Sequence, residues 1–300
     1  MNITITGSLG NVSQPLIEKL VAKGHRVTVI SNSPERAKAI EDLHAIAAIG
    51  SIEDEPFLIR AFTGADAVYC MIPPNYQTTD FKEFMIQVGG NYARAIGKTG
   101  VRHVVNLSSS LGTHLPDGPG LAAAFHLVEK GFDQSQTNVL HLRPGMFYTN
   151  FYGNMEMIKH SNIIGNNFDA TVKIPMLHPH DIADVAADAL HELSFTGKNI
   201  RYLVSDEKNG HEIAQLLGDA IGQPDLHWVA FTDDQLLTGM MQSGLSRHMA
   251  SNYVEMGIAL REGVVLEHYR QNRPRVPGKT SFTDFAREFA AVYRNTSNQN

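Results

Sequence analysis

Two glycines near the start of the chain have a spacing that suits phosphate binding. Gly7 and Gly10 follow an apolar run at 3–5 and precede an amphipathic segment that ends near Gly24. A pyrophosphate approaches main-chain N–H groups closely only where no Cβ intrudes, and the N-terminus of a helix favours its negative charge. We therefore expect this turn to bind a dinucleotide through Gly7, Leu9, Gly10, Asn11 and Val12. The alternative is a turn that joins strand and helix and binds no phosphate.

The turn departs from the common Gly-x-Gly-x-x-Gly pattern. Ser13 stands at the third position, where a glycine would let helix and strand pack closely. Serine is small enough to be tolerated there, although it makes the sequence pattern weaker evidence for dinucleotide binding. A second β-branched run at 25–30 follows at once, so the glycines lie within a complete βαβ unit. That setting supports the dinucleotide interpretation.

The end of the second predicted strand bears on which dinucleotide is bound. A carboxylate there would bind ribose hydroxyls and repel a 2′-phosphate, but this strand ends in Ser31 and Asn32. Ser33 followed by Pro34 is typical of a capped helix start, with Arg36 in the first turn. These residues favour NADP(H) over NAD(H). The alternative for Arg36 is a solvated charge on a helix.

His126 and Lys130 are the candidates for catalysis. They are four residues apart in a helix predicted at 121–134, so they share one face of that helix. His126 could donate a proton while Lys130 binds ribose hydroxyls. The alternative is an ordinary helix whose polar face carries His126, Glu129 and Lys130.

Alternating strands and helices position these residues. Apolar strands at 26–31, 45–49, 67–72, 101–108 and 138–143 alternate with helices at 34–44, 55–62, 80–98 and 121–134. The rhythm predicts an α/β fold, with a Rossmann-type doubly wound parallel sheet in residues 1–150. An irregular stretch at 151–169 then precedes helices at 209–221, 232–250 and 281–294. We expect residues 151–300 to form a smaller α/β substrate lobe, with some strands returning to the main sheet.

Ligands of open α/β sheets bind beyond the carboxyl ends of the strands. The residues expected to rim that crevice are Ser31, Ile72, Pro73, Pro74, Ser108, Ser109, Pro144, Gly145 and Met146. Ser109 could bind a substrate oxygen or the cofactor, or the neighbouring serines could satisfy only their own turn. Nearby aromatic residues could line an apolar acceptor pocket or serve only for packing, namely Tyr76, Phe147, Tyr148, Phe151 and Tyr152.

The composition indicates a protein that acts on small molecules. Its 300 residues, 43% hydrophobic and 19% charged, are typical of a soluble globular protein. The net charge is −6, and the sequence has neither the basic cluster typical of nucleic-acid binding nor a polybasic membrane anchor. One cysteine, Cys70, and the absence of a signal sequence favour the cytoplasm. Apolar surface on the long helices leaves a homodimer open.

Fourteen histidines raise the question of a metal site. The densest cluster is His178, His180 and Asp181, but residues from 181 onward have the pattern of an amphipathic helix with acids in its first turn. A closed metal site needs converging ligands at a defined spacing, which this cluster lacks. We expect no metal.

Several short motifs occur in a characteristic order along nearly the whole chain. After the glycine turn come Ala65-Asp66-Ala67-Val68 with Pro73-Pro74, Val101-Arg102-His103-Val104-Val105 with Ser108-Ser109, His126-x-x-Glu129, Leu142-Arg143-Pro144-Gly145-Met146-Phe147, His180-Asp181-Ile182-Ala183 and Phe282-Thr283-Asp284-Phe285-Ala286. In this order the chain resembles the NmrA-like members of the atypical short-chain dehydrogenases/reductases. That group includes NADPH-dependent quinone reductases and NADP-sensing regulators, and the resemblance implies a Rossmann domain with a small C-terminal substrate lobe.

The resemblance implies two functions. The first is an NADPH-dependent oxidoreductase that transfers hydride to a quinone or similar small acceptor, and the second is a non-catalytic NADP(H) sensor that acts through a protein partner. The chain departs from the family's pattern at Ser13, at Asn32 and at Ser51 after the third strand. Short-chain dehydrogenases place a tyrosine four residues before a lysine on one helix, whereas this chain has His126 four residues before Lys130. Since the cofactor carries the redox chemistry, a missing tyrosine does not exclude activity. We expect the reductase.

Overall fold

The structure, a computed structural model, describes residues 1–76 and 78–297. In chain order its strands are β1 (Asn2–Ile5), β2 (Arg26–Ser31), β3 (Ile46–Ile49), β4 (Ala67–Cys70), β5 (His103–Leu107), β6 (Asn138–Pro144), β7 (Met146–Phe147), β8 (Ile163–Asn166), β9 (Ile174–Leu177), β10 (Lys198–Leu203), β11 (Asp206–Lys208) and β12 (His227–Ala230). Its helices are α1 (Ser13–Ala22), α2 (Ala37–Asp42), α3 (Glu55–Phe62), α4 (Phe81–Thr99), α5 (Ala122–Asp133), α6 (Met155–Ser161), α7 (Pro179–Glu192), α8 (Gly210–Ile221), α9 (Asp233–Gln242), α10 (Arg247–Glu262), α11 (Glu267–Gln271) and α12 (Phe282–Ser297). Short 3₁₀ turns lie at Pro34–Arg36, Tyr148–Asn154 and Val264–Leu266.

Seven strands of the described residues form one sheet in the order β10-β6-β5-β4-β1-β2-β3. Each neighbouring pair is parallel. From β1 the chain adds β2 and β3 on one side of the sheet. It then crosses to the other side of β1 and adds β4, β5, β6 and β10 there, so the strand order reverses between β1 and β4. This is the doubly wound Rossmann-type α/β fold that the sequence predicts. Because the strands are parallel, their carboxyl ends meet at one edge, and the reversal opens a crevice there.

Helices cover both faces of the main sheet. On one face α1 and α7 pack against the strands through Leu16, Ile17 and Ile182, which are fully buried. On the other face α3, α4 and α5 pack through residues such as Tyr92 and Phe132. A sheet that is buried on both faces needs apolar side chains in both directions, which explains the nearly continuous apolar strands of the sequence.

A third core lies among the C-terminal elements. Tyr148 packs there edge-on against Phe282 and beside Phe285. Two small sheets, β11-β9-β7 and β12-β8, accompany this core. Two elements of the same half return to the main sheet, since α7 covers one face and β10 forms an edge beside β6. The division of the chain into 1–150 and 151–300 stays a prediction.

Two stretches of the C-terminal half differ from the expectation. Residues 151–169, expected to be irregular, contain α6 and β8. The single helix expected at 232–250 consists of two helices, α9 and α10. Between them Gly244 has a φ of 95°, and the Ser246 hydroxyl accepts a hydrogen bond from the Met249 N–H at 3.2 Å. A left-handed glycine ends one helix and a serine cap begins the next, so local chain geometry overrides the apolar periodicity.

Candidate functional site

The glycine turn after β1 is held in shape by residues around Gly7. Gly7 has a φ of 90°, and a Cβ there would lie 2.5 Å from the Ser13 Oγ and 2.7 Å from the Met71 Sδ. The Ser13 hydroxyl donates a hydrogen bond to the Thr6 carbonyl at 3.0 Å and is almost fully buried. Ser13 therefore joins the start of α1 to the end of β1, which is the close packing that a third glycine would otherwise allow.

Gly10 differs from Gly7 in what surrounds it. Its N–H donates to the Gly7 carbonyl at 3.1 Å, and a Cβ at Gly10 would meet only that carbonyl oxygen, at 3.2 Å. Gly10 and Asn11 are exposed and Leu9 is partly buried, whereas Val12 is buried in the core beneath the turn. The main chain at Gly10 is thus exposed, while the side chain of Val12 packs into the core, and cofactor contacts at both residues stay predictions.

Thr6 ties the ends of β1 and β4 together at the reversal of the sheet. Its hydroxyl donates to the Met71 carbonyl at 3.0 Å and accepts from the Met71 N–H at 2.7 Å. The Tyr92 hydroxyl, on α4, also donates to that carbonyl. Beyond Met71 the chain continues into Ile72 and Pro73, both partly buried, and the exposed Pro74. Sequence reasoning missed Thr6 because its partner is remote in the chain.

A polar cluster joins the glycine turn to the end of β2. The Ser8 hydroxyl donates to the Ser31 hydroxyl at 3.0 Å, and the Arg36 guanidinium donates to the Ser8 hydroxyl at 3.3 Å. Ser8 and Ser31 are buried while Asn32 and Arg36 are exposed. Arg36 is thus exposed but also contacts the glycine turn through Ser8, which a purely solvated charge would not do. Ser8 was not among the predicted site residues, although it lies between two that were.

Ser33 occupies the predicted N-cap position with Pro34 directly after it, but its side chain forms no capping hydrogen bond. Its hydroxyl donates to a Glu35 carboxylate oxygen at 2.5 Å instead of accepting from the first helical turn, and its N–H donates to the Ser31 hydroxyl at 3.2 Å. The Ser33 hydrogen bond lowers the pKa of Glu35 below its usual range. Because residues 34–36 form a 3₁₀ turn, the first turn is too tight to present the donors of an ordinary helix start.

Buried hydroxyls lie beyond the end of β5. Those of Ser108 and Ser110 are shielded from solvent and have no hydrogen-bond partner among the described residues. The Ser109 hydroxyl accepts from the Leu111 N–H at 3.2 Å, as a turn residue would. The Ser108 and Ser110 N–H groups donate to carbonyls of β6. A buried hydroxyl without a partner costs free energy, so these two groups suit a ligand that supplies the missing bonds.

The end of β6 and the residues that follow it are fixed by packing. Pro144 and Gly145 are buried and Met146 is partly buried. A Cβ at Gly145 would lie 2.5 Å from the Pro175 carbonyl, so only glycine allows β9 to approach. The Gly145 N–H donates to the Leu203 carbonyl of β10. This rigid segment borders the crevice where the sequence predicts the nicotinamide.

His126 is oriented by the loop that precedes α5. Its Nδ1 lies 3.0 Å from the Thr113 carbonyl, and because a carbonyl only accepts, this nitrogen carries the proton. The Nε2 atom is therefore the one left to act on a ligand. Lys130 is exposed one turn further along α5. The structure thus keeps both residues on one helix and gives His126 a defined orientation.

A buried polar network lies beside His126. Glu129 of α5 binds the Arg143 guanidinium through both carboxylate oxygens, at 3.0 and 2.6 Å. Arg143 also donates to the Tyr202 hydroxyl at 3.0 Å, and that hydroxyl lies 2.7 Å from the His268 Nδ1. The network joins α5, β6, β10 and α11. Glu129 and Arg143 each stand in a motif noted in the sequence, but nothing in the sequence indicated that they pair or that Tyr202 and His268 join them.

The predicted acceptor pocket is only partly supported by the aromatic side chains. Tyr76 is 59% exposed and Phe147 is partly buried, so both are accessible to a ligand. Tyr148 and Phe151 are 0% and 4% exposed within the C-terminal core. They are therefore packing residues in this structure and do not line an open pocket. Tyr152 is partly buried, and its hydroxyl donates to Glu288.

Other candidate sites lie outside the crevice. A cavity of about 520 Å³ between α7, β10 and residues 272–279 contains none of the residues predicted to bind cofactor. Within residues 1–76 and 78–297, no group of three or more His, Cys, Asp or Glu side chains is arranged to hold a metal ion. His178 instead binds Glu288 at 3.1 Å and accepts from the His180 N–H. No helix in the described part of the chain is long and apolar enough to cross a membrane.

The carboxyl edge of the sheet therefore carries groups that could hold a dinucleotide along its length. Gly10 leaves the main chain open for a pyrophosphate, and Arg36 and the serines around it could bind a ribose phosphate. Ser108 and Ser110 follow β5 and carry buried hydroxyls without a partner among the described residues. The Thr6 and Ser13 hydrogen bonds hold the glycine turn against the ends of β1 and β4.

Solved structures with the same fold include enzymes and a regulator. The triphenylmethane reductase of Citrobacter sp., complexed with NADP(H), has a TM-score of 0.80 at 18% identity, over 97% of this chain and 100% of that one. The quinone oxidoreductase QOR2 of Escherichia coli, complexed with NADPH, has a TM-score of 0.79 at 18% identity, over 99% and 100%. NmrA, a negative transcriptional regulator in complex with NADP, has a TM-score of 0.77 at 16% identity, over 99% and 97%.

A comparison with known protein families gives a match over most of the chain, whereas a comparison with individual curated proteins gives none. The sequence pattern of the NmrA-like family matches residues 1–259, which include the glycine turn, the whole main sheet and most of the C-terminal helices. The chain therefore belongs to the NmrA-like family.

Proposed function

We propose that the protein is an NADPH-dependent oxidoreductase that transfers a hydride to a quinone or a similar small carbonyl or azo acceptor. The observation that carries the proposal is the pairing along one sheet edge of an open glycine turn with His126, whose Nε2 is free to act on a ligand. Two solved structures of the same fold support it, one described as a quinone oxidoreductase complexed with NADPH and the other as a triphenylmethane reductase complexed with NADP(H). At 18% identity they support the fold and leave the activity as our proposal.

The cofactor, when bound, supplies the hydride. The chain's own residues bind and orient it, since Gly10 leaves main-chain N–H groups accessible and Ser108 and Ser110 offer buried hydroxyls. His126, held through Nδ1 by the Thr113 carbonyl, would deliver a proton from Nε2 when protonated. A quinone that receives one hydride and one proton becomes a hydroquinone, so the reaction balances.

We propose that NADP(H) is preferred over NAD(H). The end of β2 presents Ser31 rather than a carboxylate, and the Arg36 guanidinium contacts the turn through Ser8. A guanidinium binds a phosphate through charge-assisted hydrogen bonds, which are stronger than neutral ones. The nearby Glu35 carboxylate is engaged by the Ser33 hydroxyl.

A second candidate is a non-catalytic sensor of NADP(H) that acts through a protein partner. The observations that favour it are the likeness in fold to a transcriptional regulator complexed with NADP and the histidine at position 126 in place of a tyrosine. The exposed Lys130 also makes no contact that would hold it toward the crevice among the described residues. A sensor would bind the cofactor tightly and show no turnover.

A fluorescence titration with NADPH and NADH, followed by addition of a simple quinone, tests the proposal. We expect tighter binding of NADPH than of NADH, and loss of the NADPH signal once quinone is present. A signal that persists after tight binding would favour the sensor. Absence of binding to either nucleotide would overturn both candidates.

The Arg36→Ala variant tests the cofactor preference in the same titration. We expect the Kd for NADPH to rise about tenfold while that for NADH stays unchanged, because one charged hydrogen bond contributes about 1.5 kcal/mol or more. Lys38→Ala is the matched control, since Lys38 is exposed two residues later and pairs with Asp42. An equal loss of affinity for both nucleotides would contradict the assignment.

A further inference from the structure

His114 is a polar residue that has no role in the hydride and proton transfer proposed above. It lies in the loop between β5 and α5, and both of its ring nitrogens are shielded from solvent and lack a hydrogen-bond partner among the described residues. A neutral imidazole has one N–H donor and one acceptor, so both functions are unsatisfied. Such a group is a poor structural element, because its desolvation is not compensated.

The ring is supported from one side by the buried network. His114 stacks on His268 with ring centroids 5.3 Å apart and planes 23° from parallel. His268 lies 2.7 Å from the Tyr202 hydroxyl, which accepts from Arg143 and therefore gives its own proton to the His268 Nδ1. The support is rigid, since Glu129 fixes Arg143 from the opposite side.

The loop that carries His114 is fastened at the crevice. The Thr113 hydroxyl donates to the Ser109 carbonyl at 2.7 Å, and the Thr113 carbonyl accepts from His126. These bonds place His114 next in the chain to the group that orients His126, beyond the end of β5. The two histidines are close enough for their charges to interact.

The surroundings of His114 keep its ring neutral. Burial lowers its pKa below the ordinary value, and the nearby His268, Arg143 and His126 lower it further, while Glu267 opposes them. A neutral imidazole still donates one hydrogen bond, and a neutral donor can polarise a carbonyl without transferring its proton.

We propose that His114 binds the reducible oxygen of the acceptor and donates a hydrogen bond to it as the hydride arrives. This rests on the proposed oxidoreductase function. Negative charge develops on that oxygen during reduction, and a positioned N–H donor in a desolvated site stabilises it. His114 keeps its own proton; the proton that completes the hydroquinone comes from His126 or solvent. The acceptor would in turn supply the partner that the ring lacks.

Substitution of His114 should separate acceptor turnover from cofactor binding. For His114→Ala we expect kcat/KM for quinone to fall about a hundredfold, as for loss of one such donor, with the Kd for NADPH unchanged. His114→Asn should recover part of the loss, because its amide still offers a donor. The thermal midpoint of His114→Ala should stay the same or rise, since this variant removes two unsatisfied buried nitrogens. A purely structural residue would lower it.

His103→Ala is the matched control. His103 is also partly buried and lies 5.3 Å from Phe195 in an edge-on ring contact, but at the amino end of β5. We expect its turnover to match the wild type. Unchanged turnover in His114→Ala would overturn this inference and leave the oxidoreductase proposal standing. A lower midpoint with no recovery in His114→Asn would also overturn it. A wild-type protein that binds NADPH but never reduces quinone would overturn both.

Discussion

At the scale of single residues, the two glycines of the turn have different physical reasons to be glycine. Gly7 has a positive φ and no room for a Cβ between Ser13 and Met71, so the fold itself requires it. Gly10 has ordinary backbone geometry and only the Gly7 carbonyl nearby. We therefore propose that a ligand at the turn is the reason for glycine at position 10.

Gly10→Val should abolish NADPH binding and leave the fold intact. The added side chain would occupy the space of the pyrophosphate, while its Cβ needs the Gly7 carbonyl to move by only a few tenths of an ångström. NADPH titration and far-ultraviolet circular dichroism together measure both effects. Gly7→Val is the comparison, and we expect it to lower the thermal midpoint. Wild-type affinity in Gly10→Val would refute the assignment of the turn.

At the scale of elements, the Glu129–Arg143 pair joins α5 to β6. Both side chains are almost fully buried, at 7% and 5% exposed. Burial opposes the charge of Arg143, but the hydrogen bonds and charge of Glu129 prevail and raise its pKa. The pair therefore fixes the helix that carries His126 to the strand that leads into Pro144.

Glu129→Gln should destabilise the protein by about 3 kcal/mol, because it leaves the Arg143 charge buried without a counter-ion. Urea unfolding monitored by circular dichroism measures the change. The control is Asp42→Asn, which breaks the exposed Lys38–Asp42 pair and should cost less than about 0.5 kcal/mol. A loss below about 1 kcal/mol in Glu129→Gln would mean that the pair does not hold the two elements together.

At the scale of the whole molecule, several histidines are kept neutral where separate parts of the chain meet. Burial is the main cause of a lowered pKa in each of His25, His103, His114, His178 and His268. His178, for example, lies at the start of α7 and contacts Glu288 of α12. As the pH falls, these histidines therefore become protonated at a higher pH in the unfolded chain than in the folded protein.

The free energy of unfolding should fall as the pH drops below about 6.5, the ordinary value for histidine. Above that pH both states are neutral at these residues and the stability is complete; below it the unfolded state takes up protons first. Urea unfolding at about pH 7.5, 6.5 and 5.5 measures the trend. The carboxylates with lowered pKa, such as Asp184 and Asp233, should add a second loss only below about pH 4.5. Constant stability from pH 7.5 to 5.5 would contradict this account.

The sequence by itself determined the doubly wound sheet, the family and the position of the glycine turn. Strand and helix periodicity, β-branched runs and the spacing of Gly7 and Gly10 are properties of neighbouring residues, so they can be read without knowledge of the fold. The predictions differed from the structure where local geometry interrupts periodicity, as at Gly244 and Ser246. At Ser33 the residue type of a helix cap is present, but its hydroxyl binds the Glu35 carboxylate instead of the first helical turn.

Only the tertiary structure decided which polar residues meet. The contacts of Thr6 with Met71, of Arg36 with Ser8 and of His114 with His268 each join segments that are separate in the chain. Likewise, burial of Tyr148 and Phe151 depends on α12, whose position relative to them no local pattern encodes. Side-chain contacts across a fold depend on how elements pack in three dimensions, whereas periodicity records only which face of each element is apolar.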